Sequence, residues 1–110
     1  MWQKSKFLVV AVYGATEGYP SSERFGLCQQ TRSAALSIGA NIAEGCGRRG
    51  VREFARFVDI ALGSAYELSS HLEIAVSLEY LEAGTGVELI TAVEEVRRML
   101  VGLAKSLLRR

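Results

Sequence analysis

One proline, one histidine and two cysteines are all this chain holds of three residue types that punctuate or arm many proteins. A single proline and 8% aromatic residues argue against a sandwich or barrel, whose many short strands need turn residues and aromatic or β-branched side chains. His71 stands alone, so no zinc site with several histidines can exist. Cys28 and Cys46 fall on the same predicted helix, and 18 residues at 1.5 Å rise separate them by about 27 Å. That is far beyond disulfide reach, so both are expected to be reduced, packed thiols in a cytoplasmic protein. No uncharged run approaches the roughly 18 residues of a membrane span. Lys4 and Lys6 precede the apolar run from Phe7 to Val12, as in a secretory signal, but no clean small-x-small cleavage site follows and the run keeps a helical face. No membrane partner is expected.

What is present is a helical pattern. Its 110 residues make one domain, 1–110, with 49% hydrophobic residues and a net charge of +1. A mean hydropathy of +0.17 is slightly high for a monomer of this size, and a small helical protein usually places such excess in a subunit interface. Four helices are predicted, at about 3–16, 21–46, 51–81 and 86–108. In the first, Phe7, Val10 and Ala11 share one side and Leu8, Val12 and Ala15 the next. Gly18-Tyr19-Pro20 ends it, and Pro20 with Ser21-Ser22-Glu23 reads as the start of the second. Between Arg32 and Arg48 the second helix carries only Glu44 as a charge, so nearly its whole circumference is expected to be buried. Gly45, Gly47 and Gly50 break the chain around Arg48-Arg49.

The third helix has the cleanest heptad: Phe54, Val58, Ala61, Ala65, Leu68, Leu72 and Ala75. Gly84-Thr85-Gly86 reads as a turn, with capping-box spacing from Thr85 to Glu88. The fourth helix repeats the heptad at Leu89, Val93, Val96, Leu100, Leu103 and Leu107. Alternating spacings of 3 and 4 match the shallow crossing angles of an all-α, up-and-down antiparallel four-helix bundle.

In such a bundle the basic residues gather at one end. Arg48, Arg49, Arg52 and Arg56 surround the turn between the second and third helices, and Lys105, Arg109 and Arg110 close the fourth at that same pole. The other pole holds Glu17, Glu23, Glu79, Glu82 and Glu88, with Arg24 as its only cation. Arginines in the first turns of a helix oppose the macrodipole, which favours anions there. A phosphate-bearing ligand reverses the sign of that conflict, because free backbone N–H groups and guanidinium forks converge on it. The competing reading is pairing between subunits, since residues 57 to 96 hold eight acids and no Lys or Arg. Without interleaved aromatics or a groove-reading module, binding is expected to be electrostatic and salt-sensitive rather than sequence-specific.

The stretch Ser37-Ile38-Gly39-Ala40-Asn41-Ile42-Ala43-Glu44-Gly45 resembles the signature of a bacterial family, the 23S rRNA-intervening-sequence or four-helix-bundle proteins. Trp2-Gln3-Lys4 is similar to its opening, and Tyr19-Pro20 with Glu23 to Leu27 to its first turn. Phe54, Phe57, Ala61, Gly63-Ser64 and Glu67-Leu68 are similar to its third helix. The resemblance implies a ring-forming homopentamer. It also implies kinship with accessory proteins of diversity-generating retroelements, which bind a reverse transcriptase and nucleic acid. This chain departs from the pattern at Gly14 and Gly18 in and after the first helix and at Cys46. Starting almost at the Trp places Lys4 and Lys6 mid-bundle.

A second polar set has a different meaning. Gln30, Ser37, Asn41 and Glu44 line one side of the second helix, and Ser64, Glu67 and His71 form a matching line on the third. Facing polar stripes form hydrogen-bonded networks that fix helix register, and that structural role is the one expected here. No nucleophile–base pair or oxyanion hole is evident, and Gly45-Gly47 follows a helix rather than a strand, so no dinucleotide fingerprint exists. The expectation is therefore no enzyme, no metal and no cofactor. The function predicted is a non-catalytic nucleic-acid-binding protein, with structured RNA the preferred polymer, or an accessory scaffold. The alternative is an interaction module that docks an acidic partner protein, such as a polymerase, without touching nucleic acid.

Overall fold

A computed structural model describes residues 1–109; Arg110 lies outside the described residues. Four helices run α1 (Trp2–Thr16), α2 (Leu27–Cys46), α3 (Val51–Ser77) and α4 (Ala83–Leu108), with one 3-10 turn at Ser21–Glu23 and no strand among the described residues. Their order is up-and-down: α2 packs against both α1 and α3, and α4 against α3 and α1. Among the described residues no helix is long and apolar enough to cross a membrane.

The core follows the heptads. Val58, Ala61, Ala65, Leu68, Leu72 and Ala75 of α3 meet Leu89, Val93, Val96, Leu100 and Leu107 of α4, all buried. In α1 only the Leu8–Val12 face is buried, while Phe7 and Val10 stand in solvent. Gly14 does not interrupt α1, because it lies on the exposed side where the helix can run through it. The Lys4 ammonium pairs with Glu95 on the central turns of α4, which places Lys4 at mid-bundle. That partner holds the Glu95 carboxyl below its ordinary range.

Three helix ends differ from the expected boundaries. At the start of α2, Ser21–Glu23 form the 3-10 turn and Gly26 takes φ −111°, ψ −113°, so the helix begins only at Leu27. The Glu23 carboxylate then accepts the Leu27 N–H at 3.2 Å and a Tyr80 hydroxyl at 3.2 Å. The bond to Glu23 raises the Tyr80 pKa most, and burial and the Glu23 charge raise it further. Helix α3 stops at Ser77 because Glu79 adopts φ 64°, and the Tyr80 and Glu79 N–H groups turn back to the carbonyls of Ala75 and Val76. This is a Schellman ending with glutamate where glycine is usual. Finally, α4 starts at Ala83, so Gly84-Thr85-Gly86 is its first turn rather than a loop. Glu82 is the cap, and no capping-box hydrogen bond forms from Thr85. Gly86 is there for space, since a Cβ would come within 2.5 Å of Val76 Cγ2.

The surface is large for the mass. Accessible area is 6641 Å², against about 6,000 Å² for a compact monomer of this size. Exposed apolar side chains contribute to it, and α2 is not buried all round. Leu36 is 48% exposed, and Ala40 and Ala43 are open to solvent. Cys28 is buried but Cys46 is exposed, so only one of the two thiols is packed.

Candidate nucleic-acid interface

The basic pole is built by one tight turn. After Cys46, Gly47 caps α2 by donating to the Ala43 and Glu44 carbonyls, and Gly50 opens α3 at φ 92°, a left-handed value that favours glycine. Arg48 and Arg49 project between these two glycines. Antiparallel packing of α3 and α4 puts exposed Lys105 and Arg109 at the same end of the bundle.

Phe57 organises the arginines. Its ring is buried, with Arg48 5.3 Å and Arg56 5.0 Å from the centroid. Both positions suit cation–π attraction, which restrains two long side chains on one aromatic ring. Each also has a local carboxylate: Arg48 Nη2 donates to Glu44 at 2.6 Å, and Arg56 Nε to Glu53 at 3.4 Å. These exposed pairs are each worth little, about 0–1 kcal/mol, so a polyanion can displace them. Arg49 and Arg52 are exposed with no carboxylate partner among the described residues. The pole therefore offers two unpaired guanidiniums beside two held ones. The Glu44–Arg48 spacing of four residues was a visible helical-pair signal that the polar-stripe reading of Glu44 overlooked.

The polar stripe on α2 and α3 contracts to three residues. The Ser37 and Ser64 hydroxyls lie 2.8 Å apart, and Asn41 Nδ2 donates to the Ser37 carbonyl at 2.8 Å and its hydroxyl at 2.9 Å. Gln30 and Glu44 point to solvent, and Glu44 belongs to the arginine turn instead. Glu67 is exposed and meets His71 Nε2 at 3.2 Å along α3, while His71 Nδ1 is buried without a partner. Among the described residues no group of His, Cys, Asp or Glu is arranged to hold a metal ion.

The opposite pole has a second cation that charge counting missed. Arg32 reaches back from α2 to the end of α1, where Nε donates to Thr16 Oγ1 at 2.7 Å and Nη2 to the Tyr13 carbonyl at 3.3 Å. Helical side chains lean toward the helix N-terminus, which carries Arg32 up beside Arg24. The two arginines line the same surface depressions around Cys28.

The glycines of the signature stretch are packing residues. A Cβ on Gly39 would lie 2.8 Å from Ser5 Oγ, and one on Gly45 2.9 Å from both Phe54 Cδ1 and Phe57 Cβ. Residues 1–102 match the family model for the 23S rRNA-intervening sequence protein. The chain belongs to that family. A solved structure from Bacteroides thetaiotaomicron, a protein of unknown function from the S23 ribosomal protein family, is 24% identical. It covers 94% of both chains with a TM-score of 0.87, so the family fold is the same. A comparison with curated proteins found no match.

Proposed function

We propose that this family member is a non-catalytic nucleic-acid-binding protein or accessory scaffold, working as a cytoplasmic homo-oligomer, pentameric as the family resemblance implies. Structured RNA is its preferred ligand, held through phosphates by Arg48, Arg49, Arg52 and Arg56 with Lys105, Arg109 and Arg110. No cofactor enters this reading. The observation that carries it is Arg49 and Arg52 standing exposed and unpaired at a helix start, beside Arg48 and Arg56 restrained on Phe57. Unpaired guanidiniums at the positive end of a helix dipole are electrostatically unfavourable until an anion arrives. A ring would repeat the turn around its axis and multiply the field. Accessible area above that of a compact monomer supports assembly. Kinship with retroelement accessory proteins, and a reverse transcriptase as partner, belong to the same reading.

Titration of a hairpin RNA by fluorescence anisotropy tests it. Affinity should fall by about a thousandfold between roughly 50 and 200 mM salt if six phosphates are neutralised. Arg49→Glu with Arg52→Glu should remove binding at every salt concentration. Binding that survives this double change excludes the pole as the contact surface. No binding at low salt would instead favour the alternative, in which the same exposed arginines dock an acidic partner protein.

A further inference from the structure

Away from the arginine turn, a trough runs along the outer side of α1 and α2. It joins two shallow depressions, of about 320 and 340 Å³, that share Leu36 as a common wall. Toward the basic pole its floor is apolar, made by Val9, Gly39, Ala40 and Ala43 with Trp2 at the end. Toward the other pole it opens between Tyr13 and Phe25, where Arg24 and Arg32 line it. Cys28 to Ala43 spans 15 residues of helix, or about 22 Å.

The trough is cationic and its cations are unsatisfied. Lys6, Arg24 and Arg32 line it, and none has a carboxylate partner among the described residues. Each instead lies over an aromatic ring, Lys6 on Trp2, Arg24 on Phe25 and Arg32 on Tyr13, at 4.5 to 5.6 Å from the centroid. Arg32 is further fixed by its two bonds to α1, which leave its remaining N–H donors available. Ordered guanidiniums of this kind suit carboxylates. Glu17, at the rim of the adjoining depression near Arg24 and Arg32, is the nearby acid.

The matching surface is on the same molecule. The outer side of α3 from residue 59 to 78 carries Asp59, Glu67 and Glu73 and no Lys or Arg. Ile60, Ile74 and Leu78 are 41 to 49% exposed between those acids, and Tyr66 is more so. Ile60, Glu67 and Ile74 recur every seven residues, one stripe of a straight helix. Ile60 to Leu78 spans about 27 Å, close to the length of the trough. Apolar against apolar and acid against arginine, the two surfaces complement each other, yet within one chain both face outward.

We infer that the α1–α2 trough of one copy receives the outer side of α3 of the next, with Glu67 and Glu73 answering Arg24 and Arg32. Because the two surfaces differ, the contact is heterologous, and it propagates head to tail until it closes as a ring. The inference rests on the oligomer in the proposed function and names the faces that make it.

Light scattering at micromolar concentration tests the contact, with circular dichroism confirming helicity and melting for every variant. The unaltered chain should run at a multiple of 12.0 kDa. Arg24→Glu with Arg32→Glu should reduce it to a monomer, and so should Glu67→Arg with Glu73→Arg. Combining all four changes should restore the original mass, because the charges are then exchanged rather than removed. Ala40→Arg, placed on the open floor and touching neither arginine, should give a folded monomer as well. Charge-reversed doubles that keep the oligomeric mass, or a fourfold variant that stays monomeric, would overturn the pairing and leave the trough to some other partner. A monomeric unaltered chain sinks the oligomer itself, a distinct result.

Discussion

The signature segment of α2 and the arginine turn that follows it are neighbours in sequence and opposites in physical role. Within Ser37 to Gly45 several residues let helices approach: Gly39 admits Ser5, Gly45 admits Phe54 and Phe57, and Ser37 bridges to Ser64 while holding Asn41. From Arg48 to Arg56 the arginines reach outward, and two of the four have no acid to meet among the described residues. The resemblance thus rests largely on positions that let helices pack, while the turn beside it holds the exposed arginines.

Phe57 is where the two regions touch, and removing it should blur them most. Its Cβ packs near Gly45, and its ring carries Arg48 and Arg56. Phe57→Ala should cost about 3–5 kcal/mol of unfolding free energy, read from denaturant melts. It should also weaken RNA binding under conditions where the protein stays folded, because two guanidiniums lose their support. Weakened binding without lost stability would mean the ring serves only the arginines.

Gly45 sharpens the contrast. Gly45→Val forces a side chain into space 2.9 Å from Phe54 and Phe57, and should destabilise by about 1–3 kcal/mol. The Arg49→Glu, Arg52→Glu double change should stay within about 0.5 kcal/mol of the parent in the same melt. A tolerated valine would show that α3 can shift away, and the close approach would not explain the glycine.

The sequence exposed these regions unequally. Four helices and the α3 and α4 cores were legible because apolar residues recur at helical spacing and face inward as that spacing requires. The resemblance was legible at Gly39, Asn41 and Gly45 because each fills a position that only its size or hydrogen bonding suits. Tertiary reach was not legible. Nothing in the spacing of Arg32 announces Thr16 and Tyr13 as its partners, so Arg24 looked like the sole cation of its pole. Nor does an uncharged helix declare which neighbour covers it. Leu36, Ala40 and Ala43 stay exposed on α2, although the uncharged pattern alone would bury them.

The helix ends failed for a narrower reason, which the two inter-helix turns make plain. Gly50 takes φ 92° in the arginine turn and announces the break by being glycine. Glu79 takes φ 64° in the α3–α4 turn, where a side chain pays a steric cost and gives no such notice. The Schellman hydrogen bonds usual for glycine form around it, and Leu81 is buried just beyond. Glu79→Gly should then relieve the strain, partly offset by the greater freedom of glycine in the unfolded chain. The expected gain is about 0.5–1 kcal/mol, seen as a rise of a few degrees in Tm. The corresponding change at Gly50, to alanine, should lower Tm, because there the left-handed backbone already has its preferred residue. An unchanged Tm in both variants would mean that neither turn resists a shift of its dihedral angles.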